Sequence, residues 1–249
     1  MLQNIKTVKR ESRIARDNSE DALTWNVFRY LDKTCRLSEV LSHITGKPLA
    51  NSELIYWSYL PRSENTWTEL ASARQEFGEE LQRSSEPDLI AVNDESVIFI
   101  EAKFTATNNT QPSDPHNPKK YTTGGNRWYN EVFKSDYATV ANTAKKYELL
   151  RFWLLGSWIA SETNREFYLI NLVRAEYEKD IISRFIPYIR ENDTRHFIRV
   201  AWENIYSHIL NNISPDKDRD MLLNYLRYKT VGYNQSGKLQ RAFSIKQDG

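Results

Sequence analysis

The chain has 249 residues, 40% hydrophobic and 27% charged, with a formal net charge of +1. That balance excludes a disordered polyelectrolyte and suits one large domain, or a domain with an appended subdomain. The single cysteine, Cys35, excludes a disulfide framework and any multi-cysteine zinc or iron–sulfur centre.

The opening stretch carries Lys6, Lys9, Arg10 and Arg13 with no apolar run behind them, so no secretory signal is expected. No segment offers the roughly 18 apolar residues of a membrane helix. With the lone thiol, this points to a cytoplasmic protein. Helical spacing runs from 18 to 44. Ser19 is a candidate N-cap, and Glu20 and Asp21 fall in the first turn, where carboxylates oppose the helix dipole favourably. Leu23, Val27, Tyr30 and Leu31 share a face; Val40, Leu41 and Ile44 continue it or form a second helix before Gly46 and Pro48 end the pattern. Residues 54–60 are dense in apolar and aromatic side chains and stop at Pro61, which predicts a strand. Leu70, Ala71, Phe77 and Leu81 give helical spacing over 67–81.

Two short apolar runs follow, 88–92 and 97–104, separated by Asn93-Asp94-Glu95, a hairpin signature. Residues 105–127 are polar, with three prolines and Gly124-Gly125, and predict a long loop of the kind that is functional or mobile. Tyr137, Val140, Ala141, Ala144 and Tyr147 recur as a helix face. Strands are expected over 167–173 and, more weakly, 195–202; the segments 176–190, 203–212 and 216–229 have helical patterns. This order predicts an α/β fold with a central mixed sheet flanked by helices. The core is expected over 1–175, with a mostly helical extension over 176–249 packed on it.

The stretch that carries chemistry is 86–103. Residues two apart on a strand share a face, so Glu101 and Lys103 project together. Antiparallel pairing brings Asp88, at the start of the first run, beside Glu101, at the end of the second. Val97, Ile98, Phe99 and Ile100 are continuously apolar, as in a strand buried on both faces. Charged groups at the end of such a strand must pair, hold a metal or line a cleft. Asp88 and Glu101 are hard oxygen donors and the Ala102 carbonyl between them is a third, a set that suits Mg²⁺.

Pro87-Asp88, a twelve-residue gap and Glu101-Ala102-Lys103 resemble the signature of the PD-(D/E)XK nuclease superfamily. The resemblance implies a four-stranded mixed sheet between helices and a metal-dependent endonuclease that hydrolyses nucleic acid, DNA ahead of RNA, with Mg²⁺ or Mn²⁺. Asp88 and Glu101 would hold the metal with the Ala102 carbonyl, and Lys103 would assist the attack. Glu20 matches the early helical glutamate that completes the metal site in many members, though it also fits an ordinary first-turn acid. Lys145 or Lys146 matches the basic residue that many members carry on the following helix, and the sequence does not choose between them. The second functional reading is an inactive nuclease fold that binds nucleic acid or a partner protein.

Substrate contacts are expected from Lys119, Lys120 and Arg127 in the loop after the motif, and from Lys145 or Lys146; each also fits a solvated surface. A homodimer or partner subunit fits a nuclease that cuts both strands. His43, His116, His196 and His208 are scattered without ligand spacing. Tyr225, Arg227, Tyr228, Lys229 and Tyr233 fit a nucleic-acid surface or a protein interface.

Overall fold

A computed structural model describes residues 19–59, 66–79, 86–113 and 119–245. The amino-terminal basic stretch, Leu60, Leu81 and His116 lie outside these residues. Chain order is α1 (Glu20–Lys33), α2 (Leu37–Thr45), β1 (Glu53–Tyr56), α3 (Thr68–Glu76), β2 (Leu89–Val92), β3 (Ser96–Ala102), α4 (Lys119–Arg127), α5 (Tyr129–Val132), α6 (Tyr147–Glu162), β4 (Glu166–Val173), α7 (Ile181–Phe185), β5 (Arg195–Ala201), α8 (Trp202–Asn212), α9 (Lys217–Tyr228), β6 (Thr230–Tyr233) and β7 (Leu239–Arg241).

Strands β1 to β5 form one sheet in sequence order, antiparallel from β1 to β3 and parallel from β3 to β5. The fold is therefore the expected α/β arrangement with a mixed central sheet. Every residue of β3 is buried. Ile98 and Ile100 face one core with α1, α2, α8 and α9, while Val97 and Phe99 face another with α3 and α6. The hairpin turn is closed by Asn93, whose Oδ1 accepts the N–H of Glu95 at 3.0 Å and of Ser96 at 2.7 Å.

Several elements depart from the sequence pattern. The first helix breaks at Cys35, which has a positive φ of 57°, so of the two readings open for Val40, Leu41 and Ile44 the second helix is the one that forms. The strand predicted over 54–60 stops at Tyr56 because Trp57 and Ser58 both take positive φ. Part of the predicted long loop is the kinked helix α4, which Tyr121 anchors in the core. The face from Tyr137 to Tyr147 is a π-turn over Thr139–Thr143 followed by a break at Lys145, φ 55°, before α6 starts. Within 176–190 only Ile181–Phe185 is α-helical, ending in a 3-10 turn that contains Pro187, whose missing N–H cannot extend a helix. The sheet continues past residue 175 through β5, and the carboxy-terminal segment adds the β6–β7 hairpin to its helices. No described helix is long and apolar enough to cross a membrane.

Helix α6 lies against β3 and β4, with Gly156 at the closest approach. A Cβ there would come within 2.1 Å of the Phe167 ring. That ring is itself fixed by Phe99 at 5.5 Å and Trp153 at 5.6 Å between centroids. Gly156→Ala should therefore destabilise the fold by about 2 kcal/mol, despite the roughly 1 kcal/mol that alanine gains in helix propensity. A urea midpoint equal to or above that of the wild type would refute the contact.

Candidate active site

The β2–β3 register pairs Leu89 with Ile100, and one further step sets Asp88 opposite Glu101. The parallel registers align Glu101 with Asn171 and Asn171 with Arg199. A row of polar side chains thus crosses four strands on the α6 side, at the carboxyl ends of the parallel strands, where open α/β sheets place their ligands.

Three successive amides fix the end of β3. Ala102 N–H donates to Asp88 Oδ2 at 2.9 Å, Lys103 N–H to the Leu172 carbonyl at 2.7 Å, and Phe104 N–H to Glu20 Oε2 at 2.6 Å. Asp88 takes over as acceptor where the β2 ladder runs out, and Glu20 does the same beyond the end of β3. An extended residue turns its N–H and C=O the same way. The Ala102 carbonyl therefore opens toward the side of Asp88, as the ligand role expected of it requires. The Lys103 carbonyl accepts the Trp202 indole N–H at 3.4 Å.

The Lys103 ammonium pairs with Glu101 Oε1 and, at 3.0 Å, with Glu148 Oε2. Glu101 is 2% exposed and Lys103 9%, so solvent screens this pair little. One ammonium here faces the carboxylates of Glu20, Asp88, Glu101 and Glu148. Burial lifts the Asp88 carboxyl to about 8, with the charge of Glu20 adding to the rise and Lys103 and the Ala102 amide opposing it. Burial and the neighbouring Asp88 push Glu101 well above its ordinary range. Burial raises Glu20 as well. For Lys103, burial works against the proton, but the four carboxylates outweigh it and hold the group above its usual value.

Asp21, next to Glu20, adds negative charge to both Glu20 and Asp88, and among the described residues its buried Oδ2 has no hydrogen bond. Asp88 Oδ1 and Glu20 Oε1 likewise make no hydrogen bond among the described residues. No three of the described acids, histidines or cysteines converge on a single point as a finished metal cage. Lys103 is drawn in between Glu101 and Glu148. The donor set nevertheless fits a hard divalent cation: it is all oxygen, it is short of positive charge, and it leaves carboxylate oxygens unused.

The sequence-predicted residues thus separate. Asp88, Glu101, Lys103, the Ala102 carbonyl and Glu20 come together. Lys119 is exposed, and Lys120 lies 5.1 Å above the Tyr121 ring. The Tyr121 hydroxyl reaches the Tyr147 hydroxyl at 3.4 Å, which puts this end of α4 beside Glu148. Lys145 is exposed. Lys146 is only 2% exposed and turns inward, its Nζ 3.3 Å from the Asn108 carbonyl and 3.4 Å from Asn109 Oδ1. It holds the loop that follows the motif and presents no ammonium to solvent. Arg127 is exposed but remote. Two residues before it, Gly125 packs against Trp158, which is ten residues along α6 from Glu148, a rise of about 15 Å.

Sequence reasoning missed Glu148 and the layer behind the row. Glu148 follows Lys145-Lys146 in the first turn of α6, an ordinary place for an acid, so nothing in the local pattern marked it. Asn171 was visible as the one polar residue inside an apolar strand, and it is fully buried. Its Nδ2 donates to Glu178 Oε2 at 2.9 Å, and its Oδ1 accepts from Asn108 Nδ2 at 2.7 Å. Arg199 secures the loop carrying Glu178 by donating to the carbonyls of Ala175 at 2.9 Å, Tyr177 at 2.7 Å and Glu178 at 3.0 Å.

No family model matches the sequence, and no curated protein or solved structure is significantly similar to it.

The raised carboxyls give the metal-free protein a defined pH dependence. Asp88 binds its proton more tightly folded than unfolded, so this contribution to stability is full below pH 3.8 and is lost as pH rises to about 8. Asp88→Asn is neutral throughout, and its amide oxygen can still accept from Ala102. With chelator present, the variant should lose less stability than the wild type over this range. At pH 8 it should be more stable by about 2 kcal/mol, less than the full linkage value because solvent reaches Asp88. Parallel stability–pH curves from denaturant titrations would contradict the charge excess.

Proposed function

We propose that this protein is a metal-dependent nuclease of the PD-(D/E)XK kind, hydrolysing phosphodiester bonds in nucleic acid, DNA ahead of RNA. The observation that carries this reading is the pairing of Asp88 with Glu101 across two strands, with Lys103 on the same face, at the end of a strand buried on both sides. Asp88, Glu101 and the Ala102 carbonyl, with Glu20 and Glu148 beside them, would hold Mg²⁺ or Mn²⁺. When bound, such an ion polarises the phosphodiester and lowers the pKa of water.

The chain's own groups supply the rest. Lys103 keeps its proton strongly, so it acts as a donor and not as a general base. Once the carboxylates have another counter-charge, its ammonium is free to turn from Glu101 to a phosphate oxygen and stabilise charge that develops there. Glu148, 3.0 Å from the ammonium, would give it a second carboxylate to stay on when Glu101 lets go. Lys119, Lys120 and Lys145 extend positive charge outward, where a phosphate backbone would pass.

Cleavage of labelled single-stranded, duplex and branched DNA, and of RNA, tests this with Mg²⁺, Mn²⁺ or chelator. Cutting should require metal. It should fall by at least about 100-fold in Lys103→Ala, the scale of losing one transition-state donor. Asp88→Asn should also weaken Mn²⁺ binding. Cutting that survives Lys103→Ala would remove the assignment. Metal binding with no cutting on any substrate would favour a nucleic-acid or protein binding module.

Glu148→Gln tests the residue that sequence reasoning did not find. It should lower kcat by about 10-fold and leave KM nearly unchanged, because Glu148 acts on the lysine and not on the substrate. A rise in KM with kcat unaltered would make Glu148 a substrate-binding group instead.

A further inference from the structure

At the other end of the sheet, where β4 and β5 begin, lies a cavity of about 190 Å³ lined by Ser157, Ser161, Asn164, Arg165, Thr194 and Arg195. Arg165 precedes β4 and Asn171 stands six residues further along it. The cavity is therefore about 20 Å from the carboxylate cluster at the strand rise of 3.3 Å per residue. Neither arginine forms an ion pair or a side-chain hydrogen bond among the described residues. Arg165 Nη1 and Arg195 Nε are buried donors with no acceptor among the described residues. Buried N–H groups on a charged fork are costly to leave unmade, and native proteins satisfy nearly all of them.

The carbonyls nearby do not meet that need. In the last turn of α6, Ile159 accepts from Thr163 N–H, Ala160 from Arg165 N–H at 2.8 Å, and Ser161 from Asn164 N–H at 3.3 Å. The acids nearby are engaged or stand apart. Glu166 pairs with Lys47, Glu191 accepts the Phe197 N–H, and Glu131 is the acid whose charge acts on Arg195, without an ion pair between them. Glu162 and Asp193 are exposed. The carboxyl end of α6 opposes an anion with roughly half a charge, and two full guanidinium charges outweigh it.

Of the lining hydroxyls, that of Ser161 makes no hydrogen bond among the described residues and can donate, whereas Ser157 Oγ already donates to the Leu154 carbonyl and Thr194 Oγ1 to Asn192 Oδ1. A carboxylate offers two oxygens in one plane. A phosphate offers oxygens on several sides and accepts bidentate contacts from arginine. The cavity also has room beyond the phosphate itself. We propose that this pocket binds a phosphate group carried on a small organic ester, independently of the proposed nuclease site.

Isothermal titration of the full chain at constant ionic strength tests this with inorganic phosphate, glycerol 3-phosphate and acetate. Both phosphates should bind saturably at one site, the ester at least as tightly, with acetate at least about 10-fold weaker. Arg165→Gln should weaken both phosphates by about 10-fold or more, the scale of one charge-assisted hydrogen bond. Because Arg195 packs against Trp128, the second variant is Ser161→Glu at the exposed rim, which should abolish binding by repulsion. Asp88→Asn should bind as the wild type does, which separates this pocket from the carboxylate cluster. No saturable heat at millimolar phosphate, or binding unchanged in both pocket variants, would overturn the proposal. Equal binding of acetate would overturn the phosphate assignment, and binding of inorganic phosphate without the ester would overturn the organic part.

Discussion

A buried lysine held among more carboxylates than it can neutralise is the constraint on which the rest of this structure depends. Lys103 and Glu101 lie at the end of the central strand, nearly out of contact with water. Replacing such a pair with well-packed apolar residues is often neutral or stabilising. Here the pair is surrounded by Glu20, Asp88 and Glu148, which add repulsion and no further attraction except toward the one ammonium. The fold tolerates this because both faces of β3 bury large apolar side chains, including Phe99 between Phe152 and Phe167. Each fully buried side chain of that kind contributes roughly 1.5–3 kcal/mol. Stability supplied along the strand offsets the strain at its end.

The acids also have structural work, which explains why they can converge without the fold fraying. Asp88 and Glu20 satisfy the amides of Ala102 and Phe104. Behind them, the Asn108–Asn171–Glu178 network ties the loop after the motif to β4, beside Glu101. Lys146 belongs to this second system. Its ammonium bonds the same loop while its carbonyl accepts the N–H of Leu150 in α6, the helix that carries Glu148. The two polar systems thus share supports, because Lys146 joins the loop at 108–109 to the helix that carries Glu148.

Much of this was legible in the sequence, for physical reasons that differ by element. The hairpin and the buried strand could be read because an unbroken apolar run and a polar turn each have few structural solutions. Antiparallel pairing across that turn then brought Asp88 beside Glu101, and side-chain alternation put Lys103 on the face of Glu101. The breaks at Cys35, Trp57 and Lys145 were not legible: non-glycine residues at positive φ leave no mark in composition, since tertiary packing imposes them. The helical part of the predicted loop was hidden for a related reason. Lys119-Lys120-Tyr121-Thr122-Thr123 has a polar pattern, and only Tyr121 enters the core. Glu148 escaped because its role depends on a contact between elements 45 residues apart in sequence, and first-turn acids are common. Asn171 shows what a recoverable signal looks like: a lone amide in a run of apolar strand residues has to be satisfied inside the protein, and therefore marks a buried polar network.

The charge balance also bears on how the proposed site would change between its empty and occupied forms. With Lys103 bound to Glu101, raised carboxyl pKa values mean that part of the cluster's deficit is met by protons near neutral pH. A divalent cation would displace those protons and weaken the hold of Glu101 on the ammonium in the same event. On the proposed reading, metal uptake would then release protons and free the Lys103 ammonium, so the order of binding would follow from electrostatics without a moving lid. Lys103 does not itself have to lose its proton at any stage, since every carboxylate near it favours the charged form. On the proposed reading, the ion pair that looks like an obstacle to metal binding would be the resting position of the proposed donor, held there by the same carboxylates that would take the metal.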